Sequence, residues 1–434
     1  MPRKIEYIEY RLPDILGQLK GMTVPCKPTN TIEELKENPE ILEGTSVDGS
    51  SILGLSRVES SDLRLDPDLD SLVELPYSQH RTAAVMCFVR VKASVDKKEF
   101  YPKDTRGVLH SVCEKYLGPD MMLKTKVEPE FYFTSMDGEP FDFAQYAETF
   151  PKNPSQNLLL DIASAIQLMG VAVRVVHHEV GIAQQEVELA FEEVLRASDN
   201  ILLFKNVARA LAAQNGIDIT FMPKPFTDQA GTGLHCHLQL WEEGVNLFGD
   251  KNNDSLSDTA KNFLAGLMNH APAITAIANP TINSYKRLEP HQEAPVYISW
   301  GMQNRTTLIR VPLFQKANKA AIEFRSPDPT SNPYLVFAAI IAAGMEGVRE
   351  EMEPIQPVQG DVFNMSDSER DKNGIKSLPV TLKEALDHLK QDTLICEALG
   401  KEITDTYIDI KLREWNDYVS HAVTDWEWNT YFDM

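Results

Sequence analysis

VEPEFYF, residues 127–133, sets two carboxylates, Glu128 and Glu130, two positions apart in strand-like sequence. The spacing returns at His235 and His237 in TGLHCHLQLW (232–241), and at Glu323 and Arg325 in IEFRSPDP (322–329). A strand sends residues i and i+2 to the same face, so each pair projects from one wall. Several such walls carrying carboxylates and imidazoles predict a shared divalent-metal cavity, and the arginine beside them predicts a phosphate in it. Pro129 has no amide donor, which places it at a strand edge or irregularity.

On either side of this stretch the chain changes character. Upstream, KIEYIEYRL (4–12) alternates, LGQLKGMTVP (16–25) follows a turn, and SLVELPY (71–77) and TAAVMCFVRVKA (82–93) supply further β-type runs. Residues 31–43 are helix-like, interrupted by Pro39. Asp104 is placed to cap a helix running to Tyr116, with Gly118 as its stop. The domain boundary is set near residue 97, giving domains 1–97 and 98–434.

Downstream, the patterns predict a strand over 124–134, a helix over 155–169, a strand over 171–178 and helices over about 185–198 and 200–214. Strands follow over 217–222 and 233–241, then a helix over 258–278 and strand-like runs at 305–312 and 321–325. The apolar stretch Tyr334 to Met345 is too short to span a bilayer and reads as a core helix. Residues 364–376 read as a polar surface loop, followed by two helices and a tryptophan-bearing tail.

Composition narrows the function class. The net charge is 42 − 64 = −22, which argues against nucleic-acid or acidic-membrane partners. Five scattered cysteines without a CxxC, and a start without an apolar signal core, predict reduced thiols in the cytoplasm.

Further candidate groups collect around the three pairs. In VVHHEVGIAQQEVEL (175–189), Glu179 follows an apolar strand and Glu186 lies seven residues on, near an expected helix start. Ligands that are mostly carboxylate oxygens favour Mg2+ or Mn2+ over zinc. Arg287, Arg305, Arg310 and Arg325 accumulate near apolar runs, and guanidinium forks bind phosphates and carboxylates bidentately. TSVDGSSILG (45–54) is a turn-forming loop with Asp48 at its centre.

Taken in order, VDGSSI, VEPEFYF, HHEV…QQE, FMPKP…GTGLHCH, NPTINSYKRLEPHQEAP, NRTTLIRVP and IEFRSPDPTSNPYL resemble the signatures of the type I glutamine synthetase family, from about residue 5 to the end. The resemblance implies an α+β fold: a small N-terminal β-grasp-like domain and a larger catalytic domain, whose curved antiparallel half-barrel sheet is flanked by helices. It implies ATP-dependent ligation of ammonia to the γ-carboxylate of glutamate through γ-glutamyl phosphate. Glu130, Glu179 and Glu186 match ligands of a metal facing glutamate. Glu128, His235 and Glu323 match ligands of a second metal, on the nucleotide side.

By the same resemblance, Arg305 and Arg325 match phosphoryl-contacting arginines, Arg310 and His237 nucleotide-side residues, and Arg287 the holder of the substrate α-carboxylate. Gly231 matches a substrate-binding glycine. Asp48, with Ser51 and Tyr146, resembles the ammonium-binding set, and Glu293 the flap glutamate that closes over the intermediate. Implied partners are glutamate, ATP, ammonium and other copies of the chain in a dodecamer of two hexameric rings, with Asp48 acting in a neighbouring subunit's site. Small regulatory proteins are further candidates.

The chain departs from that pattern in places. Ala230 stands where ammonia-using members commonly carry asparagine, Ala144 and Gln145 replace a usual glycine pair, and Ala321 replaces a common arginine. The first two open an alternative, a γ-glutamyl ligase for methylamine or a polyamine. Phe363 aligns with a tyrosine that some members adenylylate, and it has no hydroxyl to modify. Arg57 matches an arginine tied to glutamine feedback in one subgroup.

Overall fold

The structure is a computed structural model that describes residues 4–91, 99–250, 255–291 and 294–434. The N-terminal run forms strands β1 (Ile5–Pro13), β2 (Leu19–Thr29), β3 (Thr45–Asp48), β4 (Asp62–Pro67), β5 (Val73–Glu74) and β6 (Thr82–Val91). They make one sheet in the order β2-β1-β6-β4-β3, with β5 also on β6. β1 and β6 run parallel; the other pairs are antiparallel. Ile8, Tyr10 and Leu12 of β1 pack against Val85, Cys87 and Val89 of β6 in a core separate from the main one.

Local signals account for the connections. Helices Ile32–Lys36 and Pro39–Leu42 break at the expected proline. Asp104 accepts from the Arg106 amide at 3.1 Å and caps helix Thr105–Tyr116, and Gly118 follows at φ +67. The boundary at residue 97 lies outside the described residues.

The second sheet carries the site. Its strands are β7 (Met121–Thr134), β8 (Val173–His178), β9 (Gln184–Leu189), β10 (Glu192–Glu193), β11 (Asp218–Thr220), β12 (Leu234–Glu242) and β13 (Val245–Asn246). After β14 (Tyr297–Ile298), which pairs elsewhere, come β15 (Trp300–Met302), β16 (Ile309–Val311) and β17 (Ile322–Phe324). The main path is β15-β16-β17-β12-β7-β9-β8, with β10 and β11 on β7 and β13 on β12.

Alternation along β7 decides which face is free for chemistry. Leu123, Val127, Phe131 and Phe133 enter the core, where Phe131 meets Phe204 of helix Val194–Gln214 at 5.7 Å between ring centroids. Burying each such side chain stabilises the fold by about 1.5–3 kcal/mol. Lys126, Glu128 and Glu130 are thereby turned to the opposite face. Pro129 falls between the stretch of β7 paired with β9 and the stretch paired with β10, where no ladder bond needs its missing donor.

Four expectations are corrected. Residues 184–189 form β9, and a single helix, Val194–Gln214, replaces the two expected over 185–214. QQEVEL is rich in helix formers, but Val187 and Leu189 fill the core once it pairs with β7 and β8, so tertiary burial overrides propensity. Of 305–312, only Ile309–Val311 is strand; Arg305 sits in a turn whose Asn304 accepts from the Thr306 amide at 3.0 Å. Residues 364–376 contain helix Asp367–Lys372, started by a Ser366–Glu369 capping box. The tail holds four helices, Leu382–Gln391, Thr393–Leu399, Lys401–His421 and Asp425–Tyr431, where two were expected.

Helix Pro333–Arg349 is a core helix, capped by Asn332 and buried along most of its length. Among the described residues no helix is long and apolar enough to cross a membrane. None of the five cysteines forms a disulfide.

His270 fastens three of these helices together. Its Nδ1 lies 2.6 Å from Asp392, its Nε2 2.6 Å from Glu346, and the Asn269 amide approaches Nε2 at 3.3 Å. Burial lowers its affinity for a proton, but the bonds to Asp392 and Glu346 outweigh that and raise its pKa above 6.5. A raised folded pKa gives stability that is fully present below the unfolded value and is lost as pH rises through the folded one. The margin in unfolding midpoint of the parent chain over His270→Gln is therefore expected to shrink as pH rises above about 6.5. A pH-independent margin in thermal melts would contradict this.

Candidate active site

Strand register assembles the site. In β7 and β12, His235 lies opposite Glu128 and His237 opposite Lys126. On the other side of β12, Glu323 of β17 lies opposite His237, and Arg310 of β16 opposite Glu323. Glu186 of β9 lies opposite Glu130. All three i, i+2 pairs thus face one cavity of about 600 Å3, which also takes in Glu179, Arg287, Arg305, Tyr146 and Gly231.

Within it, ligand atoms cluster in three groups, each within 4.8 Å: Glu128–His235–Glu323, Glu130–Glu186–His235 and His177–Glu179–Glu186. The first is the trio expected for the nucleotide side. The trio expected to face glutamate is divided between the other two groups, with His177 and His235 added. Oxygen-rich clusters of this kind fit Mg2+ or Mn2+.

Electrostatics agrees with the donor chemistry. Burial, reinforced by Glu179, pushes the Glu130 carboxyl up to about 8. Burial and repulsion from Glu130 and Glu128 raise Glu186 to about 10. Carboxyls packed this closely ionise together only when cations neutralise them. At the other end the balance reverses. Burial pushes Glu323 up, but Arg325, His237, His235 and Arg310 outweigh it and bring it down to about 2. Glu128 is likewise held below the usual carboxylate range, against burial, by His235, His237 and Lys126. Burial and Arg325 bring His235 down to about 4, leaving it a neutral imidazole fit to ligate metal.

The arginines are fixed from behind. Arg287 donates from Nη1 to the Ser326 carbonyl at 2.7 Å and from Nη2 to the Arg325 carbonyl at 3.1 Å. Arg325 donates to Glu323 Oε1 at 2.5 Å, and Arg310 bonds Glu323 Oε2. Gly231 and Gly233 make room for this packing: a Cβ on Gly231 would meet Arg287 Cγ at 2.6 Å, and one on Gly233 would meet His235 Nε2 at 2.7 Å. The Ala230 carbonyl accepts from the Tyr132 hydroxyl at 2.6 Å, and Ala230 is among the residues that line the cavity. Glu179 is held through its backbone, whose carbonyl lies 2.7 Å from His178 Nδ1, while His178 Nε2 is 2.9 Å from Asp142.

Two of the described residues expected at the site, Asp48 and Ser51, do not line the cavity. Glu293 lies outside the described residues. Asp48 and Ser51 are exposed on the turn after β3. The Asp48 carboxylate accepts from the Ser50 hydroxyl at 2.7 Å, the Ser50 amide at 3.0 Å and the Ser51 hydroxyl at 2.9 Å, and these bonds lower its pKa.

Four polar lining residues escaped the sequence reading: Lys126, His177, Gln184 and Glu188. Lys126 stands two positions before Glu128 and Glu188 two after Glu186, so one more step of the same spacing rule finds both. His177 lies 3.6 Å from Glu179 and 3.8 Å from Glu186, and the Tyr146 ring stands edge-on to it at 5.5 Å.

Comparison with known proteins agrees with this architecture. The family model for the glutamine synthetase catalytic domain matches residues 102–431, and that for its β-grasp domain matches residues 4–92. Glutamine synthetase of Pyrococcus abyssi is 40% identical over 446 residues, covering 99% of this chain and 97% of the relative. That of Methanocaldococcus jannaschii is 38% identical, covering 98% and 95%. Among solved structures, GmaS in complex with ADP superposes with a TM-score of 0.87 at 30% identity, covering 100% of this chain and 98% of that one. Plasmodium falciparum glutamine synthetase, at 24% identity, shares the fold with a TM-score of 0.85, covering 99% and 96%. The α+β class holds, with an N-terminal β-grasp domain and a curved catalytic sheet. The chain belongs to the glutamine synthetase family.

Proposed function

We propose that the protein is a cytoplasmic, ATP-dependent glutamate–ammonia ligase, with domains 1–97 and 98–434. The observation that carries the reading is the cavity in which three overlapping carboxylate–imidazole clusters are flanked by four arginines. ATP phosphorylates the γ-carboxylate of glutamate, and ammonia displaces phosphate from the acyl phosphate to give glutamine.

In this reading Glu130, Glu179 and Glu186 hold the glutamate-side Mg2+ or Mn2+, and Glu128, His235 and Glu323 the nucleotide-side one. The ions supply charge neutralisation for crowded phosphates and carboxylate. Arg305 and Arg325 stabilise charge on the phosphoryl group in transfer, and Arg310 and His237 bind the nucleotide phosphates. Arg287, pinned by two carbonyls, presents its remaining donors to the glutamate α-carboxylate, with Gly231 beside it. Glu293 closes over the intermediate and excludes water.

Asp48, Ser51 and Tyr146 bind ammonium, and Asp48 takes its proton. Because Asp48 stands outside the cavity of its own chain, it acts in a neighbouring subunit of a homo-oligomer, which we take to be a double-ring dodecamer. Asp48→Ala and Glu323→Gln are each expected to be inactive, whereas hybrids assembled from equal amounts should recover about a quarter of the parent activity, one intact site per random pairing of four. Hybrids as inactive as their parents would sink the shared site.

The amine is tested by phosphate release from purified protein with ATP, Mg2+ and glutamate across a panel of amines. Release is expected with ammonium. Ala230, a small apolar wall where a polar group is usual, favours a second reading, a γ-glutamyl ligase for methylamine or a polyamine. Release with those amines but not ammonium would establish that reading; silence with every amine, despite intact oligomers, would refute both.

A further inference from the structure

The cavity contains an ion-pair chain that the reaction as proposed does not use. Lys126 is buried, and its ammonium donates to Glu128 Oε1 at 2.9 Å and also bonds Glu188. Glu188 in turn pairs with Arg174 at 2.9 Å. Cation and anion therefore alternate from the surface at Arg174 to Glu128, and Lys126 is held from behind as firmly as it holds what lies ahead.

The arrangement treats the two oxygens of Glu128 unequally. Oε1 faces the Lys126 ammonium and, also at 2.9 Å, His237 Nε2. Oε2 points the other way, 3.5 Å from His235 Nδ1, which is itself 3.9 Å from Glu323 Oε1. Oε1 is bonded by the Lys126 ammonium, and Oε2 is turned to the cluster proposed to hold the nucleotide-side ion. Glu323 differs: both of its oxygens are held, Oε2 by Arg310 and Oε1 by Arg325. A rotating carboxylate can chelate through both oxygens or swing away; one pinned through Oε1 offers a single ligand atom in a set direction.

We propose that Lys126, braced by Glu188 and Arg174, is a positioning residue that fixes Glu128 for one-oxygen ligation of the nucleotide-side ion. The inference rests on the two-metal reading above and adds to it a residue that touches neither substrate nor metal. Removing the clamp leaves all six proposed ligands in place but loosens one of them. The glutamate-side cluster does not depend on the clamp, because Glu130 is oriented separately by the Gly233 amide at 2.8 Å and the Gln184 side chain at 3.2 Å.

The test is Mn2+ binding to the full-length protein with and without ADP, followed by the magnetic resonance signal of free Mn2+, for the parent chain, Lys126→Met and Lys126→Arg. Lys126→Met is expected to weaken the ADP-dependent class of sites by about 10–100-fold and leave the other class unchanged. Lys126→Arg should recover most of the loss, and KM for ATP should rise more than KM for glutamate. Glu188→Gln, which loosens the brace and keeps the ammonium, should weaken the same class by a smaller factor and serves if Lys126→Met does not fold. Two unchanged classes in Lys126→Met, or an equal loss in both, would overturn the role of Lys126 alone. A parent chain with only one class would overturn the two-metal reading together with it.

Discussion

Glu323→Gln is expected to abolish turnover, lowering kcat/KM by at least about a thousandfold. Glu323 is 1% exposed and accepts from both Arg310 and Arg325, besides belonging to the Glu128–His235–Glu323 cluster. Glutamine keeps its length and one oxygen but loses the charge. The cluster then has a weaker ligand, and two arginines that should face phosphate are left without the anion that aligns them. Phosphate release and Mn2+ binding should fall together while the protein remains assembled. Phosphate release near the parent rate would remove Glu323 from the proposed site.

The largest effect on folding is expected at Arg106. This guanidinium is 1% exposed and grips Asp199 with two bonds, Nε to Oδ1 at 3.0 Å and Nη2 to Oδ2 at 2.9 Å. Nη2 also reaches Asp68 at 2.5 Å, in the segment between β4 and β5, and the guanidinium lies over the Phe88 ring of β6 at 4.3 Å. The Tyr334 hydroxyl completes the cluster by donating to Asp199 at 2.6 Å. One side chain thus ties the N-terminal sheet to three helices of the catalytic region. Arg106→Met leaves the buried Asp199 charge with only the looser Arg196 contact at 3.8 Å and the Tyr334 hydroxyl, and breaking such a pair costs up to about 3–5 kcal/mol. Asp199→Asn in the same chain should return part of that loss, so the double variant should unfold at higher urea than Arg106→Met. A double variant weaker than both single ones would show that the contact acts through packing, not charge.

How much of this was legible beforehand depends on which force set each residue's place. The i, i+2 pairs were readable because strand alternation is local geometry, and the same rule reaches Lys126 and Glu188 once extended a step. Asp104, Pro39 and Gly118 behaved as their backbone chemistry dictates. Glu186 was read onto a helix because QQEVEL is locally helix-prone; only pairing with β7, from a segment some fifty residues away, makes it a strand. The division of ligand atoms among three clusters depends on side-chain directions across five strands, which spacing does not encode. The remote Asp48 turn was anticipated by family resemblance and not by pattern, since nothing in a tight turn tells which molecule it serves.

The packing of Gly231 and Gly233 against Arg287 and His235 has a consequence for redesign. At both positions even an alanine collides with a fixed group, so randomised libraries should return only glycine there among active clones. Ala230, adjoining them, is also a lining residue and is tied to Tyr132 by its carbonyl. Under the amine reading proposed above, substitution along this segment is thereby confined to position 230, and a screen of that single codon is the one to make for nucleophile selectivity.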